Sequence, residues 1–464
     1  MSEPTLVVVN PSTGEPLEEL SADSQQSARD KLATARRRYL DRKSWLPLHR
    51  RIEILEQLAL LLERDFDDLA LTIAREGGKP LVDAIVETHR AIAGVRMAIQ
   101  TVGEHRGNVI PLGHQASSAG RLAFTQRYPR GVVLAFSAFN HPLNLIVHQV
   151  VPAFAAGCPC VVKPAADTPL SCLKLVQALH KAGAPEDYIS CVVTGNLDIA
   201  SEMVRSKDIA FFSFIGSARV GWMLRAQLQP GVRCALEHGG VAPAIVTESA
   251  DLAAVVSSLA KGGYYHAGQV CVSTQRVYVA RGVYRDLQDG LAPAVAALRV
   301  GDASDEATEV GPLIRPGEVD RVGEWVREAI EAGAEVATGG EPQQGNFYSP
   351  TLLLDPPAQS RVSTQEIFGP VVCLYPYSTL EDALARSNLY PNAFQAAVYT
   401  SDIDTMYAAY DAFDASAVMV NDHTAFRDDV MPFAGLNASG LGVGGIPYTI
   451  EDLQYEKMLV LKHQ

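Results

Sequence analysis

From about residue 131 the chain alternates short, continuously apolar runs with helix-period segments. That alternation limits the fold more than any other feature. "GVVLAFSAF" reads as a buried strand and "HPLNLIVHQVVPAFAAG" as the helix that follows. "CPCVVKPA" and "PLSCLKLVQALHKAG" repeat the pair, and "ISCVVTG", "DIASEMVRS", "IAFFSFIGS" and "ARVGWMLRAQL" continue it. Short buried strands alternating with helices predict a parallel sheet of the doubly wound type. After Gly240 the pattern resumes with "APAIVT", a helix to about Lys261 and "STQRVYVA", so a second α/β unit is expected. The 464 residues, 47% of them hydrophobic, suffice for two or three such cores. Upstream, from Ser24 to about Gly103, "RRIEILEQLALLLERDFDDLALTIARE" carries apolar residues at three- and four-residue spacing and reads as helical. "GNVIPLGHQASSAGRLAFTQRYPRG" reads as extended and irregular.

Charge narrows the partners. A net charge of −14 disfavours nucleic acid and anionic membranes, which both reward basic surfaces. It does not exclude a small anion, because a few local arginines can set the field of one cleft. The start "MSEPTLVVVNPSTGEP" lacks the pattern of a secretory signal. The most apolar region, 131–162, is interrupted by Asn140, His141, Pro142, Asn144, His148 and Pro152, so no membrane span is expected. Seven cysteines are scattered without a C-x-x-C pair or zinc spacing. Free thiols, a reducing cytoplasm and no structural metal are the expectation.

In open α/β sheets ligands bind beyond the carboxyl ends of the strands, here the loops "AFNHP", "VVKPAAD" and "FIGSARVG". None is a G-x-G-x-x-G or Walker loop. Gly216 and Ser217, opening a helix, can still hold a phosphate on free backbone N–H groups. In "YHAGQVCVSTQR", Cys271 is either a small buried hydrophobe or a nucleophile. Gly268 permits close backbone approach, and Gln269 and Ser273 keep the segment polar. Glu237, in "LEHGG", is either a paired structural acid or a base. Asn140 is a helix cap or a positioned donor. The three would make a thiol nucleophile, a carboxylate base and an amide donor. Spacing alone does not bring them together.

Seven segments resemble the NAD(P)-dependent aldehyde dehydrogenase superfamily: "AFNHPLN", "VVKPAADTPL", "FIGSARVG", "LEHGG", "AGQVC", "EIFGPV" and "MPFAGLNASGLG", in that order, and the resemblance extends from about residue 5 to 462. The resemblance implies Cys271 as nucleophile, Asn140 and the Cys271 N–H as an oxyanion hole, and Glu237 as general base. It assigns NAD or NADP to Lys163, Ala166, Gly195, Gly216, Ser217, Glu366 and Phe368. Ala166 stands where strict NAD enzymes often carry a glutamate for the adenine ribose. NADP is therefore expected beside NAD, with Asp167 next door keeping both open. Val443 and Gly444 replace a late glutamate of some relatives, His238 replaces a leucine, and Asn437 replaces a lysine.

The implied architecture is a Rossmann-type cofactor domain (1–111 and 129–238), a catalytic α/β domain (239–438) and a β-arm (112–128 and 447–464). An apolar arm strand needs a partner, so a homodimer or homotetramer is expected. The segments "REGGKPLVDA", "LEHGGVAP" and "GVGGIPYT" look most like the phosphonoacetaldehyde dehydrogenase branch. His141, Asn144 and His148 are spaced to share a helix face. With Arg90 and Arg427 they would line a polar tunnel for an anionic aldehyde, phosphono-, sulfo- or carboxy-. The alternative for the two arginines is a structural ion pair. That branch has an arginine just before the nucleophile; this chain has Val270. A CoA-acylating enzyme, a broad polar-aldehyde dehydrogenase and a catalytically silent homologue are the competing functions, and Glu237 argues against the first.

Overall fold

A computed structural model of the chain describes residues 5–104, 107–390 and 392–462. The outer ends of the expected cofactor domain and arm, 1–4 and 463–464, lie outside the described residues. Helices Gln25–Leu40, Leu48–Arg64, Phe66–Gly77 and Leu81–Glu104 occupy the early periodic stretch. The stretch read as helical is divided at Asp65 into two helices. A hairpin, Thr5–Val9 with Pro16–Ser21, precedes them.

The first large sheet orders its strands Gly440–Leu441, Arg233–Glu237, Phe211–Ile215, Val133–Phe136, Cys160–Lys163 and Ile189–Cys191. All pairs are parallel except the late addition Gly440–Leu441. The two-residue period of a strand divides its apolar side chains between two cores. Val133 and Ala135 face the core built with helices 48–104, 144–156 and 170–181, while Leu134 and Phe136 face helices 25–40, 197–205 and 218–225. Strand order reverses at Val133–Phe136, whose neighbours are the next strand in the chain and the later Phe211–Ile215. Such a switch point opens a crevice at the strand ends.

The second sheet runs Glu335–Thr338, Thr351–Leu354, Val371–Tyr377, Arg276–Ala280, Pro243–Val246, Gln395–Tyr399 and Ala417–Val420, parallel but for its first pair. A third, antiparallel sheet joins Gln454–Lys462, Arg121–Pro129 and Val109–Ile110. The stretch read as irregular thus contributes a nine-residue strand. Strand Gln454–Lys462 pairs along one edge only, and Met458, Leu459, Val460 and Leu461 are exposed. All seven cysteines are free. Among the described residues no helix is long and apolar enough to cross a membrane, and no group of three His, Cys, Asp or Glu is placed to hold a metal.

Candidate active site

The segment 265–276 is held by its polar side chains. His266 and Ala267 take left-handed backbone conformations (φ 50° and 53°), and Gly268 follows at 68°. A Cβ at Gly268 would lie 2.1 Å from the Gly369 carbonyl oxygen, so glycine is required there. Gln269 donates to the Pro312 carbonyl (3.1 Å) and accepts from the Ile314 N–H (3.0 Å). Gln275 donates to the Val362 and Gln365 carbonyls and accepts from the Ile367 N–H, tying the segment to the loop of Glu366. Strained backbone fixed by this many bonds is characteristic of functional loops.

This frame presents Cys271, partly exposed, to a cavity of about 60 Å³ that Glu237, Tyr265, Val270 and Arg427 also line. That is room for about four to six waters, or a short-chain molecule. Asn140, buried in the loop after Val133–Phe136, donates its amide Nδ2 to the Gln269 carbonyl at 2.9 Å. An amide nitrogen carries two hydrogens, so one is left to donate. Glu237 ends the strand Arg233–Glu237; its carboxylate packs on Gly444, where a Cβ would lie 2.1 Å from Oε1. Burial pushes Glu237 up to about 7, against the pull of Arg427. Burial, with Glu366 and Glu237, pushes the Cys271 thiol up to about 12. Behind Glu237 a second cavity of about 20 Å³, lined by His148, Gln149, Ser213 and Thr449, holds space for one water.

The opposite wall departs from expectation. His141 lies before the helix Asn144–Ala156 and not on its face. Its Nδ1 meets Lys79 Nζ (2.8 Å) and its Nε2 the Tyr265 hydroxyl (3.2 Å). Lys79 pairs with Glu87, whose Oε1 accepts the Leu143 and Asn144 N–H groups at 3.0 Å each and so holds the start of that helix. Arg90, expected to meet a substrate anion, gives its guanidinium to Asp429 in a two-pronged pair (Nε 3.1 Å, Nη2 2.6 Å). His148 donates Nε2 to the same carboxylate at 2.9 Å. Arg90 thus makes an ion pair while still lining the cavity. Burial would raise Asp429, but His148 and Arg90 hold it far below the carboxylate range. Arg427 differs: it donates to the Met431 carbonyl (2.6 Å), lies 4.7 Å over the Phe433 ring and makes no ion pair among the described residues. Val270 is buried against Val272 and Phe394.

The cofactor-assigned residues gather around the switch point. Lys163, at the end of its strand, is half-buried, and burial lowers its pKa. Gly195 and Ala166 face each other, a Cβ on the glycine reaching the Ala166 Cβ at 3.8 Å. Asp167 pairs with Arg315 at 3.3 Å. Ser217 stands at the N-terminus of helix Ala218–Arg225 without a side-chain cap. Glu366 is raised to about 8 by burial, and its Oε1 is buried without a partner. Phe368 (φ 48°) meets Phe139 edge to face at 5.8 Å. An orphaned carboxylate, a half-buried lysine and a bare helix end are groups that suit a dinucleotide with ribose hydroxyls and phosphates.

Two substitutions against the family pattern find a local reason. The His238 ring bonds the Gly216 carbonyl through Nδ1 (2.9 Å) and packs between Phe214 and Trp222. It fits because position 221 is glycine, where a Cβ would lie 2.0 Å from the ring. Asn437 sits at φ 52°, a conformation asparagine tolerates better than lysine. A cleft of about 730 Å³ between helices Gln25–Leu40 and Leu197–Arg205 carries mixed charges and none of this chemistry.

Residues 1–459 match the aldehyde dehydrogenase family. The chain belongs to that family. It is similar to the 3-sulfolactaldehyde dehydrogenase of Priestia aryabhattai, 34% identical over 98% of this chain and 94% of the relative. It is also similar to the NADP(+) succinate-semialdehyde dehydrogenase of Escherichia coli, 35% identical over 96% and 92%. Among solved structures, aldehyde dehydrogenase 21 of Physcomitrella patens in complex with the reaction product succinate matches with a TM-score of 0.95 at 32% identity, covering 99% of this chain and 95% of that one. The enzyme is therefore an oxidoreductase acting on aldehydes with NAD or NADP.

Proposed function

We propose that the enzyme oxidises a short anionic aldehyde to the carboxylic acid, with Arg427 receiving the anion. One observation carries this reading: Arg427 faces the cavity of Cys271 and Glu237 with no carboxylate of its own. A half-buried cation without a counter-ion is costly unless a ligand completes it, and a guanidinium suits planar or tetrahedral oxyanions. The names of the relatives, sulfolactaldehyde and succinate-semialdehyde dehydrogenase, support it, as does the succinate bound in the plant structure.

The Cys271 thiol gives its proton to solvent and the thiolate attacks the carbonyl carbon; the C–S bond forms and the carbonyl electrons move to oxygen. Asn140's free amide hydrogen and the Cys271 N–H would hold that oxyanion, each such donor contributing about 3 kcal/mol. NAD(P)+, when bound by Lys163, Gly195, Gly216, Ser217, Glu366 and Phe368 beside Ala166, supplies a cationic ring and the hydride acceptor that turns the thiohemiacetal into a thioester. Glu237 then takes a proton from water, the hydroxide adds to the thioester, and the C–S bond breaks to release the acid and the Cys271 thiolate. A base with a pKa of about 7 is matched to this task at neutral pH. The one-water cavity behind Glu237 supports the hydrolytic route over acyl transfer to CoA. The cofactor, catalytic and arm divisions given above are part of this reading, and the exposed apolar edge strand Gln454–Lys462 supports a homodimer or homotetramer.

Arg427→Ala is the test. For a carboxylate- or sulfonate-bearing aldehyde KM should rise about 10- to 100-fold, the value of one charge-assisted contact. For a neutral aldehyde of equal length it should change little. Equal losses for both would remove Arg427 from the anion site.

A further inference from the structure

Resting on the reading of Arg427 as the anion receptor, we infer that Asp429 sets the number of negative charges the enzyme accepts: it neutralises Arg90 at the cavity wall, leaving a site for monoanionic aldehydes that discriminates against dianionic ones. The charges around the cavity balance in pairs. Lys79 is answered by Glu87, Lys261 by Asp83 and Arg90 by Asp429. Position 270, beside the nucleophile, is a buried valine. Of the two arginines that line the cavity, Arg427 makes no ion pair among the described residues, although Asp429 and Glu237 act on it from nearby.

The Asp429 side chain is only 4% exposed, and each of its oxygens accepts a bond from Arg90, with His148 adding a third. An ionised carboxylate saturated in this way cancels the field of Arg90 locally and fixes it away from other acceptors. Asp429 lies two residues from Arg427, and the Met431 carbonyl that Arg427 binds is in the same turn, closed by Met431 N–H to the Asp428 carbonyl. The clamp therefore also positions the receptor. A dianion entering this cavity would have one charge matched and the other desolvated without a partner. The reading accommodates carboxylate and sulfonate groups and turns away from the phosphono- group.

The test compares kcat/KM for two aldehydes of matched length at pH 8, one ending in a carboxylate and one in a phosphate monoester, which is then a dianion. Wild type should favour the carboxylate. Asp429→Asn frees Arg90 and should shift the ratio about tenfold towards the dianion. Arg90→Gln leaves Asp429 uncompensated and should lower both substrates, the dianion more. The double variant Arg90→Gln/Asp429→Asn restores the charge count and should return the ratio to within about threefold of wild type. A purely structural clamp would lower both substrates equally in every variant. If Asp429→Asn fails to fold, Arg90→Gln and the charge-conserving double variant read the same ratio. Unchanged ratios in the single variants overturn the inference. Equal losses for anionic and neutral aldehydes in Arg427→Ala overturn the anion site itself, whereas a loss confined to anionic aldehydes in Arg427→Ala, with unmoved Asp429 and Arg90 ratios, overturns the role of Asp429 alone.

Discussion

The two ends of the cavity treat buried carboxylates in opposite ways. At the chemical end, Glu237 and Glu366 are enclosed with few partners, and burial raises them to about 7 and about 8. At the other end, Asp429 is as enclosed but takes three hydrogen bonds from Arg90 and His148 and stays ionised. The difference is one of partners, not depth. An unpartnered carboxylate can exchange protons near neutral pH; a saturated one acts as a fixed charge.

The largest effect that would break this contrast is Glu237→Gln. Steady-state turnover should fall about 10²- to 10⁴-fold, while rapid mixing still shows one equivalent of reduced cofactor per site. Loss of the burst as well would move Glu237 out of hydrolysis. Next, Asp429→Ala should destabilise the enzyme by about 3 kcal/mol in denaturant titration, because it strands a partly buried arginine. A loss below about 1 kcal/mol would mean the clamp is worth no more than a surface pair. The pH dependence sharpens the same comparison. Glu237 is raised, so its base form is present above about 7 and is lost as pH falls through that value; kcat should drop tenfold per unit below it. Asp429 is depressed, so its stabilisation is complete above the unfolded value of about 4 and fades only below it. Thermal stability should then show no Asp429-dependent step between pH 5 and 8. The smallest effect is Gly221→Ala, which pushes a Cβ into His238 and should cost about 1–3 kcal/mol. Adding His238→Ala should recover most of it.

Much of the chemical end was legible because its residues sit where the strand pattern ends. Glu237 closes a strand, Asn140 follows one, and Cys271 precedes another. The doubly wound alternation placed those ends together, and the resemblance supplied the roles. The other end was not legible. An arginine on a helix reads the same whether it faces a ligand or a carboxylate, and Asp429 lies 339 residues from Arg90. Lys79, Glu87 and His141 are hidden in the same way: "GGKPLVDAIVE" looks amphipathic, and only packing shows that its charges meet indoors. The strict fit of His238 over Gly221 required coordinates. The dependence of Gln269 and Gln275 on distant carbonyls did too, although two glutamines flanking a cysteine in an otherwise buried segment were a signal.

The most direct measurement of the central claim is kcat/KM of the wild-type enzyme across aldehydes of one chain length whose far end is a carboxylate, a sulfonate, a primary amide or an alcohol, each with NAD and with NADP. With Arg427 as the arginine beside Cys271 and Glu237 that makes no ion pair among the described residues, both monoanions should exceed the neutral compounds by at least about tenfold with whichever cofactor is preferred. Neutral aldehydes oxidised as efficiently as the anions would contradict it.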